Sequence, residues 1–205
     1  HYFSADRDSR NLIFFGLDGI GRRSFARNIV KQNFNQAISS EYQIEDAKPL
    51  ISLYRDLLID FTENNSIDKT NENIQIFQKL HLEDQVKEII HFLNKYSTHN
   101  QVPVLIDKGG MLNDSAEFKE EIIELMKQIN ETDNLFVVYI LNRNPSGDYN
   151  NQYFVSFVPE LNVDSTEQLL KQYCRIFFDI TLSKDDSKQI GQYISGYPPT
   201  VKIAA

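Results

Sequence analysis

An apolar run, a glycine-rich turn and a helical pattern follow one another near the start of the chain, and this succession constrains the fold most. Asn11 to Phe15 is rich in apolar and aromatic residues, which indicates a buried strand. Gly16 to Gly21 contains three glycines, and Arg22 to Asn33 then has the apolar period of a helix. Glycines let backbone N–H groups face inward, and a helix start adds the positive end of a dipole. The segment therefore predicts a site for an anionic phosphate, against the alternative of a tight turn that holds no ligand.

The turn matches the phosphate motif G-x-x-x-x-G-K-[ST] up to its second glycine and then departs from it. Arg22 stands at the lysine position, where it keeps a positive charge but presents a planar fork instead of an ammonium. Arg23 stands at the hydroxyl position, where it cannot coordinate Mg²⁺ and repels the ion. Ser24 comes one residue late, and it could replace the missing hydroxyl only if the turn shifted by one residue.

Beyond this segment, strand patterns and helix patterns alternate along the chain. The alternation predicts an α/β fold in which helices flank a parallel sheet. We expect residues 1–160 to form the α/β core and residues 161–205, whose pattern is helical, to begin a second subdomain. Further strands are predicted at 102–106, 135–141 and 153–158, with a weak signal at 37–40. Further helices are predicted, before a short apolar tail, at 48–61, 72–80, 82–96, 116–130, 165–177 and 184–194.

Two of the later strands end in residues that suit a phosphate site. Asp107 follows an apolar strand, a position from which an acid can hold Mg²⁺ through water. Lys108 comes next, where such sites often carry the acid that activates water, so in-line attack by water lacks its usual base. Arg143 follows the strand at 135–141, and it either senses a terminal phosphate or is a solvated residue at a strand exit.

Composition excludes some classes of function and disfavours others. The 205 residues are 41% hydrophobic and 24% charged, which is ordinary for a folded domain. No apolar run is long enough to span a membrane, and an excess of 29 acidic over 21 basic residues disfavours nucleic acid as a partner. The single cysteine, Cys174, fits a reducing compartment and predicts a cytoplasmic location. Because the chain starts at His1, we expect it to be part of a longer protein.

The sequence Gly16-Leu-Asp-Gly-Ile-Gly-Arg-Arg-Ser-Phe-Ala26 resembles the phosphate loop of the STAND class of signalling NTPases, which includes NB-ARC and NACHT proteins. That loop typically reads G-x-x-G-[IV]-G-K-T-T-L-A. This chain therefore resembles a family member with a degenerate Walker A motif, in which Arg22 takes the place of the lysine and Arg23 that of the first threonine.

The resemblance continues along the chain in the order of the family's motifs. Val104 to Asp107 is similar to the second acidic motif, and Tyr139 to Arg143 is similar to the sensor strand. Gly196-Tyr-Pro198 is similar to the G-x-P motif of the helical lid. The order and spacing agree from about Asn11 to Ala204.

This resemblance implies a P-loop NTPase fold with strand order 5-1-4-3-2. It also implies a site for ADP or ATP, with Ser24 and Asp107 as the ligands of any Mg²⁺, and it assigns no residue a catalytic role. The nucleotide-binding residues on this basis are Gly16, Gly19, Ile20, Gly21, Arg22, Arg23, Ser24, Phe25, Arg143 and Pro198.

For the whole protein, the resemblance implies a regulatory module of a larger signalling or defence protein, as in bacterial TIR-type proteins. Its partners would be nucleotide, the effector and sensor domains of the same chain, and further copies in a homo-oligomer. Because Arg23 and Lys108 replace parts of the hydrolytic machinery, we expect hydrolysis to be weak or absent. Two alternatives stay open, namely a pseudo-NTPase that acts as an oligomerisation or interaction scaffold, and an active ATPase that uses Ser24 and Asp107 for Mg²⁺. A third is a binding module that uses the basic helix face of Arg23, Arg27 and Lys31.

Overall fold

The computed structural model describes residues 9–45, 48–61, 67–149, 152–194 and 196–204, and strands alternate with helices through most of these ranges. None of the helices described there is both long and apolar enough to cross a membrane. In chain order the elements are β1 (Asn11–Phe15), α1 (Arg22–Phe34), β2 (Ala37–Glu45), α2 (Pro49–Phe61), α3 (Ile67–Phe77), α4 (Leu82–Ser97), β3 (Gln101–Lys108), α5 (Glu120–Glu131), β4 (Val137–Leu141), β5 (Phe154–Phe157), α6 (Val163–Phe178), α7 (Lys184–Tyr193) and α8 (Pro198–Ala204).

The strands form a five-stranded parallel sheet in the order β2-β3-β4-β1-β5. Read from the β5 edge, the same arrangement is 5-1-4-3-2. Strand β4 is central, and its Tyr139 lies opposite Ile13 of β1 and Leu105 of β3. Every residue of β4 is buried, as is usual for a strand with helices on both faces of its sheet. The predicted α/β class, a parallel sheet flanked by helices, is confirmed.

By its contacts the chain divides into two compact units. We call them the core unit, which comprises His1–Phe15 and Arg23–Ser156, and the loop unit, which comprises Gly16–Arg22 and Phe157–Ala205. The glycine-rich loop thus groups with the C-terminal segment and not with β1, which precedes it in sequence.

Each unit has its own apolar interior. In the core unit Tyr54 of α2 stacks on Phe77 of α3, with ring centroids 3.9 Å apart and planes 10° from parallel. Leu53 of α2 is fully buried in the same cluster, and burial of one such side chain contributes about 1.5–3 kcal/mol. The loop unit is held by a smaller cluster around Leu170, Cys174 and Val201.

Strand β2 is longer than the predicted strand at 37–40. It runs to Glu45, and its register with β3 shifts between Ile38 and Glu41. Tyr42 and Ile44 are the buried members of this edge strand. A shifted register and a mostly accessible surface leave little regular apolar alternation, which explains the weak sequence signal.

Two helices begin several residues from their predicted starts, and one helix was not predicted. The helix predicted from residue 116 begins at Glu120, because Ala116 has a left-handed φ of +61° and Phe118 forms a bridge with Leu112. The helix predicted at 72–80 is α3, Ile67–Phe77. The expected apolar tail is in fact α8, which opens with Pro198, a residue whose fixed φ suits the first turn of a helix.

Candidate functional site

The glycine-rich loop depends on backbone conformations that favour glycine. Gly19 has a φ of +78° and Gly21 a φ of +94°, in a region that side chains with a Cβ rarely adopt. Between them Ile20 is buried, and its N–H donates to the Leu17 carbonyl oxygen at 3.2 Å. The two glycines and the anchored isoleucine explain why this sequence forms a tight turn between β1 and α1.

Arg22 lies in this loop with its side chain only 7% exposed. Its Nη1 donates to the Gly16 carbonyl oxygen at 3.1 Å, and its Nη2 donates to Asp18 Oδ1 at 2.8 Å. The Asp18 side chain, in contrast, is 93% exposed. Both terminal nitrogens of the guanidinium are therefore engaged inside the loop, one by a carbonyl and the other by a carboxylate.

The start of α8 covers the other side of the loop. A Cβ built on Gly19 would lie 2.9 Å from Pro199 Cγ and 3.2 Å from the Tyr197 hydroxyl. The Tyr197 hydroxyl also donates to the Asp18 carbonyl oxygen. Pro198, which the sequence nominates, is the first residue of α8, and its neighbours Tyr197 and Pro199 make these contacts. The segment before α8 is tied back in turn, because the Leu161 N–H donates to the Gly196 carbonyl oxygen at 2.8 Å.

The chemistry available to Arg22 follows from the shape of its side chain. A guanidinium is planar and always charged, and it matches carboxylate and phosphate oxygens with the same fork of N–H donors. The group that holds the Asp18 carboxylate is thus equally suited to a phosphate oxygen. Burial strengthens such a charge-assisted bond and makes it costly to leave the charge unpaired.

The next residues of α1 belong to the core unit. Arg23 Nη1 lies 3.1 Å from Glu41 Oε2, and Arg27 Nη2 lies 3.3 Å from Glu41 Oε1. Ser24 is exposed. Phe25 is half-buried and packs edge-on against Phe14 of β1 at a centroid distance of 5.7 Å. The guanidinium of Arg23 is therefore paired with β2 across a carboxylate that it shares with Arg27.

Asp107 at the end of β3 is buried, at 2% exposure. Its Oδ1 accepts hydrogen bonds from the backbone N–H groups of Gly109 and Met111, both at 3.0 Å. Gly110 fits closely beneath this turn, since a Cβ there would lie 2.3 Å from the Glu45 carbonyl oxygen. The carboxylate thus holds the turn that follows β3, while Lys108 beside it is exposed.

Arg143, after β4, is exposed and donates from Nη2 to the Asn113 carbonyl oxygen at 3.1 Å. The contact joins the segment after β4 to the segment after β3. It gives Arg143 a structural role whether or not a phosphate approaches it.

The structure offers few oxygen ligands for Mg²⁺ near Ser24 and Asp107. Within the described ranges, the structure contains no group of three or more His, Cys, Asp and Glu residues that could hold a metal ion. One oxygen of Asp107 already accepts two N–H donors, and the cationic Arg23 adjoins Ser24 in sequence. The residues fit a resident Mg²⁺ poorly, because a hard cation needs several free oxygen ligands.

Two tyrosines of the core unit, Tyr42 and Tyr96, have raised pKa values. Burial raises the pKa of Tyr42, and hydrogen bonds to Asp60 and Tyr96 raise it further. The Tyr42 hydroxyl donates to Asp60 Oδ2 at 2.6 Å, and burial also raises the pKa of Tyr96. The cluster ties β2 to α2 and α4, with both phenols neutral at ordinary pH.

The structure distributes the sequence-nominated residues over both units. Gly16, Gly19, Ile20, Gly21, Arg22 and Pro198 belong to the loop unit, whereas Arg23, Ser24, Phe25, Asp107 and Arg143 belong to the core unit. Sequence reasoning missed Asp18, Tyr197 and Pro199. For Asp18 a signal existed, since it lies four residues before Arg22 and has the opposite charge.

No protein-family model matches the chain, and no curated protein matches it. Among solved structures, it resembles a Pyrococcus horikoshii protein described as a Signal Transduction ATPase with Numerous Domains (STAND) protein with a tetratricopeptide repeat sensor. That protein is 15% identical with a TM-score of 0.51, and the match covers 93% of this chain and 26% of that one.

A second similar structure is the HORMA–CdnC–Trip13 complex of Escherichia coli MS115-1. The matched chain is 11% identical with a TM-score of 0.49, and the match covers 90% of this chain and 59% of that one. This chain therefore spans less than two thirds of both solved chains. The likeness to the Pyrococcus horikoshii protein shows the fold alone: an α/β domain in which helices flank a five-stranded parallel sheet.

Proposed function

We propose that this chain is a regulatory nucleotide-binding module of a larger signalling protein, which binds ADP or ATP and hydrolyses it weakly or not at all. The observation that carries the proposal is Arg22, a buried guanidinium in a glycine-rich loop between a parallel strand and a helix. Loops of this kind bind phosphate through backbone N–H groups and the positive end of the helix dipole.

Weak or absent hydrolysis follows from two residues, Arg23 after the loop and Lys108 at the end of β3. Arg23 replaces the hydroxyl that would coordinate a metal, and it is paired with Glu41. Lys108 stands where a carboxylate would activate water. In-line transfer of a phosphoryl group to water needs both a metal and a group that orients the water, so binding without turnover is the expected behaviour.

The regulatory part of the proposal draws on the fold shared with the Pyrococcus horikoshii STAND protein and on the motif order. That protein is described as carrying a sensor, and the matched region is 26% of its length. By analogy, effector and sensor domains of the same chain are the partners proposed for this module, with homo-oligomerisation as the output.

A second candidate function is a scaffold that binds no nucleotide, and one observation favours it. Arg22 is already satisfied by Gly16 and Asp18, and Tyr197 and Pro199 lie against the loop. A loop whose guanidinium is already bonded from within gains less from an added anion than an open loop does.

Thermal unfolding with ADP or ATP, each with and without Mg²⁺, separates these functions. A ligand at a hundred times its dissociation constant stabilises by about 2.7 kcal/mol, which for a chain of this size is a rise in Tm of roughly 5–10 °C. We expect a rise that does not need Mg²⁺ and that Arg22→Gln abolishes. Arg27→Gln is the matched control, an arginine of the same helix that is paired outside the loop. No rise with either nucleotide would rule out nucleotide binding and leave the scaffold.

A further inference from the structure

We propose that Asp18 is an internal anion that occupies Arg22 in place of phosphate, so that a bound phosphate must displace the Asp18 carboxylate. The inference rests on the proposed function, because it concerns how tightly the same loop holds a phosphate. In this inference Asp18 sets the affinity of the loop for anions. The loop motif accepts any residue at the position of Asp18, so the motif itself does not suggest this role.

The first support is geometric. Arg22 Nη2 lies 2.8 Å from Asp18 Oδ1, a short charge-assisted bond, while Nη1 is held at 3.1 Å by the Gly16 carbonyl oxygen. Carboxylate and phosphate oxygens compete for the same edge of a guanidinium. A phosphate that bonded Nη2 in the same way would take the position of Oδ1.

The second support is the contrast in exposure between the two partners. Arg22 is 7% exposed and fixed in the loop, whereas the Asp18 side chain is 93% exposed. The carboxylate can therefore turn into water while the guanidinium stays in place. Because water solvates the Asp18 partner, the pair is screened as exposed pairs are, and those change an equilibrium constant by a factor of about two to five. A multiply charged ligand can therefore displace the carboxylate while Arg22 stays paired with an anion.

The third support is that the backbone of Asp18 is held independently of its side chain. The Tyr197 hydroxyl donates to the Asp18 carbonyl oxygen, and Pro199 lies against Gly19. These contacts fix the residue so that its side chain is presented to Arg22. Loss of the carboxylate alone should leave the turn intact, which makes Asp18→Asn a clean substitution.

The test is calorimetric titration of the full 205-residue chain with inorganic tripolyphosphate and with ADP. Asp18→Asn should bind both about two- to fivefold more tightly than the wild type. Asp164→Asn, which makes the same change of charge in the first turn of α6, should not. In an Arg22→Gln background, Asp18→Asn should no longer improve binding, because the two residues act on the same contact.

The outcomes separate the inference from the function on which it rests. Binding by the wild type with equal or weaker binding by Asp18→Asn overturns the inference and leaves nucleotide binding intact. An equal gain in Asp164→Asn, or a gain that persists with Arg22→Gln, also overturns it, because the effect would then be one of net charge. Absence of binding by every variant overturns the proposed function and the inference together. Binding that appears only in Asp18→Asn supports the inference in its strongest form.

Discussion

Asp107 accepts a hydrogen bond from the backbone N–H of Met111, four residues further along the chain, at 3.0 Å. The same oxygen accepts from Gly109, and the carboxylate is buried. Substitutions can therefore separate the role of Asp107 as a hydrogen-bond acceptor from a role in binding a metal ion, because an uncharged acceptor can replace the carboxylate only in the first role.

Asp107→Ala should lower the free energy of unfolding by about 1–3 kcal/mol, because it leaves the buried N–H of Met111 and the partly buried N–H of Gly109 without this acceptor. Asp107→Asn keeps an acceptor oxygen, so we expect it to recover most of this loss. Urea unfolding of the two variants measures the difference. Equal destabilisation by both would mean that the negative charge matters more than the hydrogen bonds.

Alanine substitutions at two glycines of the loop distinguish the cost of backbone strain from the cost of a clash with α8. Gly19 and Gly21 both have positive φ, but only the site at Gly19 has Pro199 within 4 Å. Gly19→Ala should therefore destabilise the chain by about 1–3 kcal/mol more than Gly21→Ala, because overpacking adds to the strain. Denaturant unfolding of the pair tests this, and a similar loss in both would place the whole cost in the backbone.

Stability at alkaline pH should depend on Tyr42. Its pKa is raised in the folded state, chiefly by burial, so the unfolded chain loses this proton first as the pH rises. The free energy of unfolding should therefore fall above about pH 10, the pKa of a free tyrosine. Tyr42→Phe should make that fall less steep, at a cost near neutral pH of about 1 kcal/mol for the lost hydrogen bonds.

Unfolding curves recorded from pH 8 to pH 11 give the slope. Tyr193→Phe, at a side chain that is 90% exposed, controls for the loss of a surface hydroxyl. A slope for Tyr42→Phe equal to that of the wild type would contradict the prediction.

Arg23 stands where the phosphate motif has a metal-binding hydroxyl, and replacing it should change the effect of Mg²⁺. Arg23→Thr removes a charge that repels Mg²⁺ and supplies a hydroxyl where the phosphate motif has one. We expect the thermal shift with ATP to become larger with Mg²⁺ than without it. Arg27→Thr, whose arginine shares Glu41 with Arg23, should show no such dependence; if it did, the cause would be release of Glu41 and not the new hydroxyl.

The inner strands of the sheet are predicted well from the sequence, because burial on both faces requires continuous apolar segments that are easily recognised. Strand β4 and residues 102–106 of β3 are continuous apolar runs that become buried, and such runs are typical of strands covered on both faces. For the edge strand β2 the predicted strand is too short, because a register shift and partial exposure remove the regular apolar alternation that marks a strand. The start of α5 is displaced because Ala116 takes a left-handed conformation that its side chain does not signal.

The loop was predicted as a feature, but its partners were not. Spacing identifies Gly16, Gly21 and Arg22, because glycine conformations and a charge at a helix start act within a few residues. Nothing local indicates that Tyr197 would bond to Asp18. That contact depends on how the C-terminal segment folds back onto the loop within its unit, which only the three-dimensional structure gives.

The bond between Tyr197 and Asp18 spans 179 residues of chain, and this fixes the order of events during synthesis. A ribosome adding about 5–20 residues per second needs roughly ten to forty seconds to pass from one to the other. The nascent sheet can begin to pair during that interval, but the turn at Asp18 must wait for its last cover. The nascent chain therefore passes through a period in which the loop has been made and its contact with Tyr197 has not.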